Sequence, residues 1–173
     1  MKKLVPTMYQ ESIYKIDYEI LFKNKIKCLL FDLDNTCVGY HVNTPPKELH
    51  ELFDKLTKMG FKVILFSNSP NKRLANFSTL NILLHPSSRK PFKKNFNKIL
   101  KKYHYQKNNV CIIGDQLFTD ILGGNRVGIK TCLVDPLTND DFIFTKGTRL
   151  VENIVYKHFE KKDILTKGVY YHE

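Results

Sequence analysis

Four apolar runs of strand length, each broken off by small or polar residues, leave this chain little choice of architecture. They cover 26–31, 61–66, 110–113 and 129–134, and their stops are Asp32-Leu33-Asp34-Asn35-Thr36, Ser67-Asn68-Ser69-Pro70, Gly114-Asp115-Gln116 and Asp135-Pro136. A shorter run at 82–84 gives way to His85-Pro86. Between the runs the period changes to that of helices. Thr44-Pro45-Pro46-Lys47-Glu48 carries the signals of a helix start, Leu49, Leu52, Phe53, Leu56 and Met59 form its core face, and Gly60 ends it. Further helices are expected at 71–79, at 92–103 with Phe92, Phe96, Ile99, Leu100 and Tyr103 inward, and from Leu117 until Gly123-Gly124 and Gly128 close it. Strands alternating with helices of this size predict a doubly wound α/β fold. The sheet is mainly parallel, five-stranded and Rossmann-like, with right-handed crossovers and helices on both faces.

The expected organisation is one domain over 1–173: a helical segment at 1–25, a core at 26–135, and a C-terminal loop and helix at 136–173. The last helix is placed at about 148–161, with Leu150, Ile154, Val155, His158 and Phe159 inward. A hydrophobic fraction of 42% is too apolar for disorder. Cys28, Cys37, Cys111 and Cys132 lack Cys-x-x-Cys spacing, and three lie in strand-like runs, so they read as buried thiols in a reducing compartment. Polar residues interrupt the start of the chain before a signal peptide can form, and no segment is apolar enough to span a bilayer. A cytoplasmic protein is expected, peripheral to a membrane at most. The formal charge of +11 would concentrate anionic partners, although solvated surface accounts equally well for most of it.

The chemistry lies at the strand ends. Asp32 and Asp34, Ser67 and Asn68, the loop residue Lys90, then Asp115 and Asp120 follow one another in chain order. Taken singly each is a turn, a cap or a solvated charge; on one sheet edge they become carboxylates for a cation, a hydroxyl donor and an ammonium group. That set suits phosphoryl transfer, in which catalysis is mostly positioning and electrostatic stabilisation. Mg²⁺ takes hard oxygen ligands, with Asp32 and Asp115 as the direct carboxylates. Side chains alternate along a strand, so Asp32 and Asp34 share a side, where one can attack phosphorus while the other handles protons.

Phe-Asp-Leu-Asp-Asn-Thr, Phe-Ser-Asn-Ser, Arg-Lys-Pro and Gly-Asp-Gln-Leu-Phe-Thr-Asp resemble, in order, the four motifs of the haloacid dehalogenase (HAD) superfamily of phosphohydrolases. Gly-Asp-Gln-Leu-Phe-Thr-Asp-Ile-Leu-Gly-Gly-Asn-Arg, the N-terminal Leu-Val-Pro and the C-terminal Arg-Leu-Val-Glu-Asn further resemble the YqeG-type subfamily IIIA phosphatases, a group that includes mitochondrial phosphatidylglycerophosphate phosphatases. The resemblance implies an Mg²⁺-dependent phosphomonoester hydrolase. Asp32 would form an aspartyl-phosphate. Asp34 would serve as acid and base, its main-chain carbonyl on the metal. Ser67 would hold the phosphoryl group with the Asn68 amide nearby, Lys90 would offset negative charge, and Asp115 and Asp120 would complete the metal site. Asp120 also fits a plain acidic residue in a first helical turn. Thr36 is a donor to a carboxylate or a turn residue; Arg73 and Arg126 are contacts to the substrate beyond its phosphate or surface ion pairs. His41 is a candidate substrate contact, and Cys37 is packing.

A cap domain with its own core needs upward of about 40 residues, and neither the interval from Asp32 to Ser67 nor that from Ser67 to Lys90 offers one. An open site suits a phosphate carried on something large. A phospholipid headgroup is the favoured candidate, reached through peripheral contact of the basic helix and the N-terminal segment with an anionic membrane. A nucleic-acid end, a phosphoprotein or a small metabolite are the alternatives. A non-enzymatic phosphoacceptor module of the receiver type is disfavoured, because its acceptor acid follows a third strand whereas 82–84 ends without one.

Overall fold

The computed structural model describes residues 2–138, 151–152, 154–159, 161–162 and 164–170. Its six strands are β1 (Met8–Gln10), β2 (Cys28–Phe31), β3 (Lys62–Phe66), β4 (Leu83–His85), β5 (Val110–Gly114) and β6 (Lys130–Val134). All are parallel, in the spatial order β1-β6-β5-β2-β3-β4. From β2 the chain steps outward through β3 to β4, then returns to the other side of β2 for β5 and β6. The strand order thus reverses between β2 and β5, the place where loops diverge and open a crevice at the carboxyl ends of the strands.

Helices α1 (Tyr18–Lys23), α2 (Lys47–Lys58), α3 (Asn71–Ala75), α4 (Lys93–Lys102) and α5 (Leu122–Val127) cover the sheet. Alternation along β2 sends Leu29 and Phe31 to one face and Cys28 and Leu30 to the other. The first face packs with Leu21 of α1, Leu49, Phe53 and Leu56 of α2 and Leu74 of α3. The second packs with Phe96 and Ile99 of α4 and Val127 of α5. Both faces being covered explains why the strands read as continuous apolar runs. The four cysteines are free and buried.

The sheet has one strand more than the five expected, and the 1–25 segment is not wholly helical. Met8–Gln10 joins the edge of β6 in the register Met8↔Cys132, and only Tyr18–Lys23 forms an α-helix, begun by Asp17, whose Oδ1 accepts the Glu19 N–H at 3.0 Å. A three-residue strand is too short to show period 2. The helical spacing of Tyr9, Ile13 and Ile16 is accidental: Ile13 and Ile16 enter one core, while Tyr9 in β1 packs with the separate cluster of Leu117, Ile121, Leu133 and Phe159.

Other boundaries shift for identifiable reasons. The helix expected at 71–79 is α3 followed by a 3₁₀ turn, Ser78–Leu80. Gly123-Gly124 lies inside α5 rather than closing it. A Cβ on Gly124 would stand 2.5 Å from Thr131 Cγ2, and one on Gly123 2.9 Å from Phe96 Cε2, so the pair lets α5 lie directly on the sheet and on α4; Gly128, at φ +85°, ends the helix. The loop from Phe142, the start of the last helix and Leu150 fall outside the described residues. The described residues of 151–159 are helical, but Ile154 is 65% exposed where it was expected inward, while Phe159 packs on Leu117, Ile121 and Leu133. Buried Glu152 accepts the Phe118 N–H at 2.9 Å and so supplies an acceptor to the start of the Leu117–Ile121 turn.

Between β2 and β3 stand a loop and α2; between β3 and Lys90 stand α3, the 3₁₀ turn and β4. No cap is built into either interval.

Candidate active site

The register Phe31↔Ile113 and Phe31↔Leu65 brings the ends of β5, β2 and β3 level, so the residues leaving them meet. Asp32, Asp115 and Asp120 each present a carboxylate oxygen, and these oxygens lie within 4.8 Å of one another. All three residues are buried. Lys90 reaches in from the loop after β4: its Nζ donates to Asp32 Oδ1 at 2.5 Å and to Asp120 Oδ1 at 2.7 Å. Thr36 Oγ1 donates to Asp115 Oδ1 at 2.9 Å.

The glycine ahead of Asp115 has a steric reason. A Cβ on Gly114 would stand 2.2 Å from Asp120 Cγ, so Asp120 lies against β5 only because that position has no side chain. Asp120 itself sits in a single π-helical turn, Leu117–Ile121, with its Oδ2 accepting from the Gln116 N–H at 3.3 Å. Such turns concentrate at functional sites.

Three carboxylates against one ammonium leave two negative charges in a space with little water. Burial drives the Asp32 pKa up to about 7 despite the opposing Lys90 charge, with Asp120 adding to the rise. Burial likewise raises Asp120, again against Lys90. Burial disfavours the Lys90 ammonium, but Asp120 and Asp32 together outweigh it and hold the amine protonated. Hard oxygen donors and a charge of this sign fit a divalent cation. A further donor is at hand: around the turn, Val38 N bonds to Leu33 O and Asn35 N to Val38 O, while the Asp34 carbonyl accepts no hydrogen bond among the described residues.

Asp34 is held apart from this cluster. Ser69 Oγ donates to its Oδ2 at 2.5 Å, and Arg73 donates to its Oδ1 through Nε at 3.2 Å and Nη2 at 2.9 Å. Arg73 also donates to the Asn43 Oδ1 at 2.9 Å and to the Val42 carbonyl, tying the loop after β2 to the start of α3. Its side chain is 12% exposed, so the surface-ion-pair alternative does not describe it. Ser69 was missed from the sequence. Its only signal was a second serine two residues after Ser67.

Ser67 Oγ accepts the Ser69 N–H at 3.2 Å, leaving its own O–H to donate into the site. The Asn68 side chain is committed elsewhere: Oδ1 accepts from Lys90 N at 2.7 Å and Ser88 Oγ at 2.8 Å, and Nδ2 donates to Lys90 O at 3.1 Å. It clamps the lysine loop. The N–H groups of exposed Asn68 and of buried Leu33 have no hydrogen bond among the described residues; for Leu33 that is an unusual state for a buried donor, and one that an anion would relieve.

Arg126 is not brought to this site. It occupies the last turn of α5, next to Asn125, whose Nδ2 donates to the Lys3 and Val5 carbonyls ahead of β1, toward the opposite sheet edge. His41 rings against Tyr40 in the loop after β2 and bonds to none of the acids. The end of β4 is His85, so no acceptor acid of the receiver kind stands there.

A parallel sheet with these groups at its switch point is the design of an HAD-like hydrolase. The family described as HAD-hydrolase-like matches residues 87–136, which include Lys90, Asp115 and Asp120. The "Probable phosphatase YqeG" of Bacillus subtilis (strain 168) is 35% identical over 162 residues, covering 93% of this chain and 94% of that protein. The chain therefore belongs to the YqeG family of HAD-type phosphatases. The Arabidopsis thaliana "Phosphatidylglycerophosphate phosphatase 1, chloroplastic/mitochondrial" is 25% identical; the match takes in 93% of this chain but 49% of that longer protein. Among solved structures, the cobalt-bound deoxy-D-mannose-octulosonate 8-phosphate phosphatase of Haemophilus influenzae shares the fold at a TM-score of 0.51 and 15% identity, covering 72% of this chain and 75% of that one.

Proposed function

We propose that this protein hydrolyses phosphomonoesters through an aspartyl-phosphate on Asp32, with Mg²⁺ held by Asp32, Asp115 and the Asp34 carbonyl, and with Asp120 in its outer sphere. The observation that carries this reading is the buried cluster of Asp32, Asp115 and Asp120 around Lys90 Nζ. An Asp32 oxygen attacks phosphorus while the bond to the leaving oxygen breaks, and Asp34 delivers a proton to that oxygen. Asp34 then takes a proton from the water that displaces phosphate from Asp32. Ser67 Oγ and the free N–H groups of Leu33 and Asn68 receive the phosphoryl oxygens, and Lys90 balances the charge between Asp32 and the phosphate. Mg²⁺, when bound, neutralises charge developing on the transferred group.

The substrate class is a phosphate borne on a phospholipid headgroup. Two features support it: the absence of a built cap leaves the entrance open to a large carrier, and a relative across the length of this chain is named for such a lipid. Among the described residues no helix is long and apolar enough to cross a membrane, so the enzyme would meet the lipid from the aqueous side. Turnover of an aryl phosphate with Mg²⁺, and of phosphatidylglycerophosphate in mixed micelles, tests both levels. Asp32→Asn keeps the side-chain size and removes the nucleophilic charge, so it should abolish both activities; full activity in that variant would overturn the role of Asp32.

A further inference from the structure

Between Asp54 and Asp115 the chain carries 13 Lys and Arg residues and not one acid, more positive charge than the whole protein's net +11. The fold sorts this charge. Lys90 and Arg73 turn into the active site, whereas Arg89, Lys93, Lys94, Lys98, Lys101 and Lys102 are exposed and pair with no acid among the described residues. Arg89, Lys94 and Lys98 line a cleft of about 700 Å³ between the loop after β4 and the first turns of α4. Phe92 lines it too and is 63% exposed, an aromatic ring left in water amid cations.

The cleft adjoins the catalytic lysine. Arg89 and Phe92 flank Lys90 in sequence, and Asn95, in the first turn of α4, donates through Nδ2 to the Ser88 carbonyl at 3.0 Å. Whatever binds the cleft is therefore held beside the mouth of the site. A single exposed ring within a cationic rim suits the boundary between headgroups and acyl chains, where the ring enters and the lysines stay with the phosphates. Single-stranded nucleic acid asks instead for successive rings on which bases stack. The other ring lining the cleft, His85, is already stacked on Phe66 at 5.1 Å.

We infer that this cleft and the first two turns of α4 dock the protein on an anionic lipid bilayer, with Phe92 inserted beside the catalytic loop. The benefit to turnover rests on the phosphatase reading above; the docking does not. The opposite face of the sheet, covered by α2, plays no part.

The test is cosedimentation of the full chain with vesicles of phosphatidylglycerol and phosphatidylcholine, against phosphatidylcholine alone, at low and high salt. Each lysine near an anionic surface is worth about fivefold in partitioning. Lys94→Glu/Lys98→Glu should therefore weaken binding by at least about thirtyfold, and Phe92→Ala by roughly tenfold. The matched reversal on α2, Lys55→Glu/Lys58→Glu, should retain most of the binding, and all three variants should keep wild-type turnover of a soluble aryl phosphate. Three results would overturn the inference: no binding of the wild type to anionic vesicles at low salt, equal losses from the α2 and α4 reversals, or retention on single-stranded RNA without vesicle binding. A wild type that docks but does not turn over aryl phosphate would sink the phosphatase reading and leave the docking intact.

Discussion

Replacing Lys90 with Met tests the electrostatic account of the site most directly. The Lys90 ammonium is 1% exposed and contacts two carboxylates, at 2.5 and 2.7 Å. Met fills most of the same volume, so the change is chiefly the loss of one buried charge. What remains is three buried acids with no cation, and removing one partner of a buried ionic set costs about 3–5 kcal/mol. For a chain of this length that corresponds to a fall of about 6–20 °C in melting temperature. The loss should depend on pH with a definite sign. Without Lys90 the folded-state pKa values of Asp32 and Asp120 rise further above their unfolded values, so the folded state binds the extra protons and gains stability as pH falls. Melting followed by circular dichroism should show the deficit of Lys90→Met largest near pH 8 and much reduced near pH 5, with Mg²⁺ restoring part of it at the higher pH. A variant that melts with the wild type at pH 8, or whose deficit is the same at both pH values, would refute the reasoning.

Mg²⁺ favours the ionised carboxylates, so its binding should release protons and its affinity should rise as pH increases through about 7, the value to which burial lifts Asp32; calorimetry in buffers of different ionisation enthalpy reads this, and an affinity flat from pH 6 to 8 would contradict it. Gly114→Ala sets a methyl group 2.2 Å from Asp120 Cγ, so Asp120 must move; a stability loss of about 1–3 kcal/mol and weaker Mg²⁺ binding are expected, and an unchanged metal affinity would show that Asp120 does not matter there. Arg73→Ala frees Asp34 Oδ1 and the loop at Val42 and Asn43. It should lower kcat on an aryl phosphate by roughly tenfold or more and stability by about 1–3 kcal/mol, with Arg73→Lys recovering little, since lysine lacks the fork; wild-type kcat in the alanine variant would remove Arg73 from the mechanism.

The sequence by itself determined the strands that are buried on both faces, because continuous apolar runs between polar stops are a local signal that tertiary context rarely overrides. It also determined the order of the candidate groups, since a parallel sheet brings successive strand ends to one edge whatever the details. Tertiary structure alone decided the rest. Met8–Gln10 becomes a strand only because the edge of β6 offers hydrogen bonds to a segment too short to declare itself. Ser69 and Arg73 share Asp34, the Asn68 side chain clamps the Lys90 loop and leaves only its main-chain N–H to the expected substrate position, and Glu152 receives the Phe118 N–H. These pairings join residues 22 to 39 positions apart, and their geometry depends on how strands align and which loops pack together. Arg126 shows the converse. Its place in the motif was legible, but the direction in which α5 runs carries it away from the carboxyl edge, and a helix's direction across a sheet is set by the crossover rather than by any residue on it.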